Sequence, residues 1–479
     1  MQVAISIILC SLVAFLAVKW VYFKILKVAN KKSLLDNPDP RKLQKRPVPI
    51  LGGIAVFFGL VAGILAGMSV DWLLTGSFYQ SLTPIICAMM LMIYIGTVDD
   101  LTGLTPTTRF IAEAATVLAL IYAGGACIDS FHGLWGINGF SWWIAVPLTV
   151  FAGVGIINAI NMIDGVNGLC SGLSIISCAF FGYAFLKVGE ISNAVLAFST
   201  IAALIPFFFH NVFGQKSRMF LGDAGTMMIG ILMVWFTINV LRGDSSVRMI
   251  MVQRKVNMIA MVLAILSVPV FDTVRVMTQR IYHGKNPFHP DRTHLHHVFI
   301  RAGVSHSITT LSEFFINVLI VGIWALSVKL HAGIDMQLYI VVLSSVILVW
   351  GLYFFLSRHE RKHTEFMHRL AKFGVKSHLG HTETWLKIEN LLDAPVAGDS
   401  DGEGETEAID EREDALERTL FYDFLKGKSE VFVDDIKRRS GVDPEHVDRL
   451  VEIGINDGSI IRVKGGLYGM PSIISLKEE

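Results

Sequence analysis

Residues 142–160, WWIAVPLTVFAGVGIINAI, and 169–186, LCSGLSIISCAFFGYAFL, flank Asn161-Met162-Ile163-Asp164-Gly165-Val166-Asn167-Gly168, and this stretch decides the fold. Neither run contains Asp, Glu, Lys or Arg. Each approaches the ~20 apolar residues that cross a hydrocarbon core, and the loop between them gathers polar groups such a core excludes. Working outward, further runs qualify, making eleven in all: 3–23, 48–68, 82–98, 110–126, 142–160, 169–186, 194–213, 226–241, 258–276, 308–328 and 338–356. Composition agrees. The hydrophobic set makes up 53% of 479 residues and charged residues 17%, against about 25% charged in soluble domains. A single soluble core and extensive disorder are both excluded. Cys10, Cys87, Cys127, Cys170 and Cys178 are odd in number and form no CxxC pair, so they read as buried thiols rather than a disulfide framework.

Lys+Arg and Asp+Glu are both 41, so only charge distribution is informative. Lys24, Lys27, Lys31, Lys32, Arg41, Lys42, Lys45 and Arg46 cluster between the first two runs, whereas the loops around Asp71, Asp129, Glu190 and Asp335 are nearly free of basic residues. Arg242, Arg248, Arg254 and Lys255 weaken the contrast without reversing it. The positive-inside rule then places the N-terminus outside and the C-terminus in the cytoplasm. The first run lacks a basic leader and a small-residue cleavage site, and is expected to be a retained helix. The chain is thus expected to be an all-α polytopic membrane protein with about eleven transmembrane helices over residues 1–358.

Residues 359–413 read as a basic stop followed by an acidic, flexible linker. Residues 414–479 read as a small cytoplasmic winged-helix (α+β) domain. Leu416, Leu420, Phe421 and Phe424 form one helical stripe, 433–439 a second helix, and Val447, Leu450, Val451 and Ile455 a third after Asp443-Pro444. Strands at 460–463 and 467–470 around Gly465-Gly466 complete the wing. From Glu411 onward there are 11 Lys/Arg against 15 Asp/Glu. A DNA binder is expected to be basic, so the domain reads as a module for a protein partner, with no nucleic acid.

The loops on the cytoplasmic face carry the chemistry. Asp99-Asp100-Leu101-Thr102-Gly103 ends the third run, Asn161…Gly168 the fifth, and Phe220-Leu221-Gly222-Asp223-Ala224-Gly225-Thr226 opens the eighth. Pro290-Asp291-Arg292-Thr293-His294-Leu295-His296-His297 follows the ninth. Each alone is an ordinary polar helix end. Together, carboxylates and an amide without a nearby thiol suit a hard ion such as Mg²⁺, which prefers oxygen ligands and substrate phosphates. Arg292 with three histidines offers donors for oxyanions. Zinc is the alternative for His294, His296 and His297, although adjacent positions seldom converge on one tetrahedral ion. Asp272, one turn before Arg275, reads as a satisfied intramembrane carboxylate.

On these loops, together with Pro49 and Gly52-Gly53, residues 1–358 resemble the polyprenyl-phosphate N-acetylhexosamine-1-phosphate transferases. The 287–297 segment, PFHPDRTHLHH, is similar to their bacterial WecA/TagO branch. The resemblance implies a phosphotransferase moving N-acetylglucosamine 1-phosphate from UDP-GlcNAc to undecaprenyl phosphate. The products are undecaprenyl-diphosphate-GlcNAc and UMP, initiating cell-surface polysaccharide synthesis at the bacterial inner membrane. Another UDP-N-acetylhexosamine, or UDP-MurNAc-pentapeptide, is the alternative donor. Asp99, Asp100 and Asp223 would be catalytic, with Mg²⁺ (Mn²⁺ as substitute) at Asp223 and Asp100. Lys45, Asn161, Asp164, Asn167, Phe220, Arg292, His294, His296 and His297 would bind substrate, Phe220 by stacking on uracil unless it is ordinary packing. Many bacterial members have Asp where this chain has Asn167, whose neutral amide suits neither a base nor a principal metal ligand. A homodimer is the expected assembly.

Two other classes fit parts of the chain. A transporter also has many spans and intramembrane carboxylates, but transport sites lie near the midplane, whereas these residues lie at span ends. A membrane-tethered regulator fits the winged helix but not its acidic balance.

Overall fold

The computed structural model describes residues 2–36, 47–75, 82–244, 247, 255–287, 293–362, 366, 370 and 382–393, with parts of the C-terminal region between 420 and 476. The chain divides into two compact units, residues 1–37 with 48–393, and 38–47 with 394–479.

The first unit is helical: α1 (Gln2–Lys31), α2 (Gly52–Thr75), α3 (Thr83–Thr102), α4 (Pro106–Gly124), α5 (Trp142–Met162), α6 (Leu169–Val188), α7 (Ile191–Phe213), α8 (Gly222–Leu241), α9 (Met258–Ile265), α10 (Ser267–Tyr282), α11 (Leu295–Arg301) and α12 (His306–Lys329). After these come α13 (Ile334–Ser345), a π-helical stretch (Val346–Gly351), α14 (Leu352–Arg361) and α15 (Glu383–Asp393). Among the described residues, nine helices are long and apolar enough to cross a membrane, or ten if α9 and α10 count as one bent span. The protein is polytopic. α4 is outside that set because Arg109 and Glu113 interrupt its apolar character.

The ninth apolar run is not straight, since α9 and α10 meet at 82°. A break inside a bilayer needs partners for the freed backbone groups. Asn317 of α12 provides them: its Oδ1 accepts from Ser267 Oγ and Val268 N, and its amide donates to Ile265 O.

α8 is apolar on every face and occupies the centre, with each residue from Ala224 to Leu241 buried. α2, α3 and α5 pack around it. Gly96 permits a close approach of α3: a Cβ there would collide with the Asp223–Ala224 backbone. A two-residue strand β1 (Leu35–Asp36) pairs antiparallel with β2 (Val48–Pro49). The Pro49 carbonyl then accepts from Phe220 N at 2.7 Å, while Gly52 N and Gly53 N donate to Phe220 O and Leu221 O at 2.9 Å each. These backbone bonds hold the Pro49–Gly53 segment against the start of α8. All five cysteines are free.

α15 lies inside the stretch assigned above to stop and linker, yet it belongs to the first unit. In the second unit, β3 (Val431–Phe432), β4 (Ile460–Gly465) and β5 (Pro471–Leu476) form an antiparallel sheet of order β3-β5-β4. The second strand of the expected hairpin thus runs later than 467–470, a segment that lies outside the described residues. Phe421, Leu425, Ile436, Val447, Leu450, Val451, Ile460 and Ile474 share one core there.

Candidate active site

Three helix ends meet at the start of α8. Thr105 caps α4 by accepting from Thr108 N, and Pro106 fixes its first turn. This tight α3–α4 connection leaves Asp99 and Asp100 on the last turn of α3 beside Arg109. Gly222 opens α8 at φ 72°, a conformation that costs a side chain, and a Cβ there would lie 2.7 Å from Asp100 Oδ2. Asp100 caps α8: its carboxylate accepts from Asp223 N at 2.9 Å and Ala224 N at 3.2 Å. Asp99 Oδ1 accepts from Leu104 N at 2.7 Å, and its other oxygen lies 3.3 Å from Arg109.

Asp223 is more open than Asp99, their side chains being 34% and 8% exposed. Its Oδ1 accepts from the Asn161 amide at 2.6 Å and lies 3.8 Å from the Arg109 guanidinium. Asn161 also donates to Thr226 Oγ1 at 2.6 Å. Arg109 further donates to Glu113, whose second oxygen accepts from Asn158 at 2.5 Å. Arg109, Glu113 and Asn158 were not singled out from the sequence, whereas Thr226 closes the Phe220–Thr226 stretch quoted above. The signal for Arg109 and Glu113 was their i,i+4 pairing, in a helix that also had to read as apolar.

The Asn161–Gly168 loop forms the adjoining wall. Gly168 N donates to Asn211 Oδ1 at 2.6 Å, and the Thr310 hydroxyl donates to Asn167 O at 2.9 Å. Asp164 reaches solvent, but desolvation by the surrounding protein and then the Asp223 charge push its carboxyl up to about 7. Phe220 is half-buried at the α8 entrance.

The histidine loop meets this wall through Gly165, where a Cβ would sit 2.6 Å from His296 Nε2. His294 stacks on His296 with centroids 5.5 Å apart, and His297 lies 4.4 Å from His296. His296 is 1% exposed, and neither ring nitrogen has a hydrogen-bond partner among the described residues. Burial, with His297 and His294 beside it, holds its pKa well below 6.5, leaving a neutral ring. An orphaned buried imidazole beside a polar loop points to a ligand. Asp272 anchors the cluster: it accepts from His294 Nδ1 and Arg275 at 2.7 Å each and from Leu295 N at 3.2 Å. Asp272 is therefore a satisfied carboxylate that also fixes the loop. Lys45 and Arg292 lie outside the described residues.

The donors around Asp223 are oxygens of carboxylate, amide and hydroxyl groups, which fits a Mg²⁺ ion sharing one or two carboxylates with substrate phosphates. No group of three or more His, Cys, Asp or Glu side chains among the described residues forms a metal cage.

Residues 82–241 match the family model Glycosyl transferase family 4. The undecaprenyl-phosphate alpha-N-acetylglucosaminyl 1-phosphate transferase of Escherichia coli (strain K12) is 32% identical over 286 residues, covering 58% of this chain and 72% of the relative. The Yersinia pestis protein of the same name is 30% identical over 288 residues, covering 59% and 73%. A probable undecaprenyl-phosphate N-acetylglucosaminyl 1-phosphate transferase of Bacillus subtilis (strain 168) is 30% identical over 341 residues, covering 70% and 88%. The chain belongs to glycosyl transferase family 4. This family 4 protein is a membrane enzyme acting on sugar phosphates. The family match spans Asp99, Asp100, Arg109, Asn161, Asp164 and Asp223.

Proposed function

We propose that this family 4 enzyme transfers N-acetylglucosamine 1-phosphate from UDP-GlcNAc to undecaprenyl phosphate, releasing UMP. The observation that carries the reading is the convergence of Asp99 and Asp100, Arg109, Asn161 and Asp223 from four separate segments at the start of α8. The named relatives act on the same lipid phosphate.

The chemical difficulty is anion meeting anion. A phosphate monoester has a second pKa of about 6, so the lipid acceptor is already largely a dianion at neutral pH. Positioning and charge neutralisation then matter more than proton removal. Asp223, with Asp100 behind it, would hold Mg²⁺, which when bound supplies charge for the diphosphate. Asn161 fixes the rotamer of Asp223, and Arg109 sets a cation between Asp99 and Asp223. Asp99 orients the acceptor phosphate or takes a residual proton. Lys45, Asp164 and Asn167 bind the nucleotide and Phe220 stacks on uracil. Arg292, His294, His296 and His297 hold the diphosphate and sugar, with His296 as a neutral donor. The lipid phosphate attacks the β-phosphorus and UMP leaves.

The same reading takes α4 and the bent α9–α10 pair as spans, giving eleven, with the N-terminus outside and the C-terminus cytoplasmic. α3 and α5 end at the site while α8 begins there, which supports this alternation. The active site then faces the cytoplasm of a bacterial inner membrane, where the reaction initiates polysaccharide synthesis. The C-terminal unit is a winged helix for a protein partner, supported by its small sheet and helical core.

Purified enzyme in detergent, given undecaprenyl phosphate, Mg²⁺ and a panel of UDP-sugars, is expected to release UMP with UDP-GlcNAc above all others. UMP release only with UDP-MurNAc-pentapeptide, or none without a different acceptor, overturns the reading.

A further inference from the structure

Asp393, the last residue of α15, closes on the turn that follows α7. Its Oδ2 accepts from Gln215 N at 2.9 Å and Lys216 N at 3.0 Å, and its Oδ1 accepts from Ser217 N at 2.9 Å and Ser217 Oγ at 2.5 Å. Three successive amides aimed at one carboxylate form an anion nest, and bonds of this charge-assisted kind are the stronger ones. Burial alone pushes the Asp393 carboxyl up, but the Ser217 hydroxyl and the three amides outweigh it and hold the group below the usual carboxylate range. The turn is also fixed from behind. Tyr22 donates to Ser217 O at 2.8 Å, and His210 Nδ1 lies 3.0 Å from Ser217 Oγ. Trp385, two turns earlier on α15, packs on Phe213 with centroids 4.4 Å apart.

The clamped turn leads directly into the site. Asn211 of α7 donates to Met219 O at 2.9 Å while its Oδ1 holds Gly168 N, so one side chain ties the segment after the turn to the Asn161–Gly168 loop. Phe220 follows, then Gly222 and Asp223. From Ser217 to Asp223 the chain is only six residues, so the turn sets where the segment bearing Phe220 and Asp223 leaves α7.

We propose that Asp393 is a positioning residue for the transferase reaction, holding the turn at 215–217 so that Phe220 and Asp223 meet the nucleotide sugar in the right place. This rests on the reading of Phe220–Asp223 as the nucleotide and metal segment. Glu383–Asp393 thereby supports the site from outside it, and Ala394 after it opens the C-terminal unit.

The test is steady-state kinetics of the full chain in detergent, with UDP-GlcNAc and undecaprenyl phosphate varied separately. Asp393→Ala is expected to raise KM for the nucleotide sugar at least fivefold and leave KM for the lipid phosphate within twofold. Asp393→Asn, which turns an amide NH₂ toward donors, should resemble Asp393→Ala. Asp393→Glu, which keeps the carboxylate on a longer arm, should recover part of the loss. A purely structural defect would lower the active fraction, and so apparent kcat, without moving either KM. Unchanged KM values in Asp393→Ala and Asp393→Asn overturn the proposal. Phe220→Ala separates the two readings. If it raises KM for the nucleotide sugar while Asp393→Ala does not, the clamp alone fails; if neither does, both fail.

Discussion

Asp100 accepts hydrogen bonds from the backbone amides of Asp223 and Ala224, so a carboxylate at the end of α3 satisfies the first amides of the helix that bears Asp223. The two residues are therefore unequal under the same substitution. Asp100→Asn turns an NH₂ toward backbone donors and should destabilise the protein by about 1–3 kcal/mol, besides lowering kcat at least tenfold. Asp223→Asn keeps the fold and abolishes turnover in Mg²⁺. Thermal unfolding alongside UMP release checks both. Near-normal kinetics of Asp223→Asn at low Mg²⁺ would remove it from the metal site.

Asp99 faces Arg109 rather than a base's usual open path to substrate. Asp99→Asn should lower kcat at least tenfold, about 1.4 kcal/mol of transition-state stabilisation. Because the acceptor ionises by itself, little of this should return at pH 8–9. Strong alkaline rescue would assign Asp99 as the base.

Arg109 joins Asp99, Glu113 and Asp223, and the Glu113 side chain is fully buried. Removing the cation strands a buried charge, a loss of about 3–5 kcal/mol for a fully buried pair. Arg109 is 19% exposed, so Arg109→Ala should cost less than a fully buried pair, about 2 kcal/mol. Adding Glu113→Gln should restore stability but not activity. Recovery of turnover in the double variant would reduce Arg109 to a scaffold residue.

Asp164 gives a pH signature. Its folded pKa, raised to about 7 from 3.8, means the folded state binds the extra proton between those values. Stability therefore falls as pH rises through that window. Asp164→Asn should match the wild type near pH 4 and melt higher at pH 8, while impairing nucleotide use. Parallel melting curves for the two proteins across that range would contradict it.

How much of this was legible depended on whether a residue's partner was local. The apolar runs and the Asp, Gly and His loops were readable because each is a pattern within a few residues. Arg109 was missed because it sits one residue before the run that began at Phe110, and its partners come from three helices. Asp272 could be seen as paired with Arg275, one turn away, but not as the anchor of His294, 22 residues on. The break at Leu266 is invisible in hydropathy because Asn317, on another helix, satisfies it. Asp393 carried no signal at all. A lone carboxylate at the end of a short helix gains meaning only from the amides of Gln215, Lys216 and Ser217.

Removing residues 397–479 should leave basal transferase activity. The proposed ligands all precede residue 300, and the deletion begins beyond Asp393, so α15 and its clamp on Ser217 survive. The C-terminal core of Phe421, Ile436, Val451, Ile460 and Ile474 is its own. A deletion from residue 383 onward removes the clamp and should show the raised nucleotide-sugar KM of Asp393→Ala. The negative balance of the tail further predicts weak, sequence-independent DNA affinity at physiological salt. Turnover of the two truncations and a DNA titration of the full chain in detergent decide the matter. An inactive but correctly inserted 397–479 deletion would make the tail integral to catalysis, and tight, sequence-specific DNA binding would make the protein a membrane-tethered regulator as well.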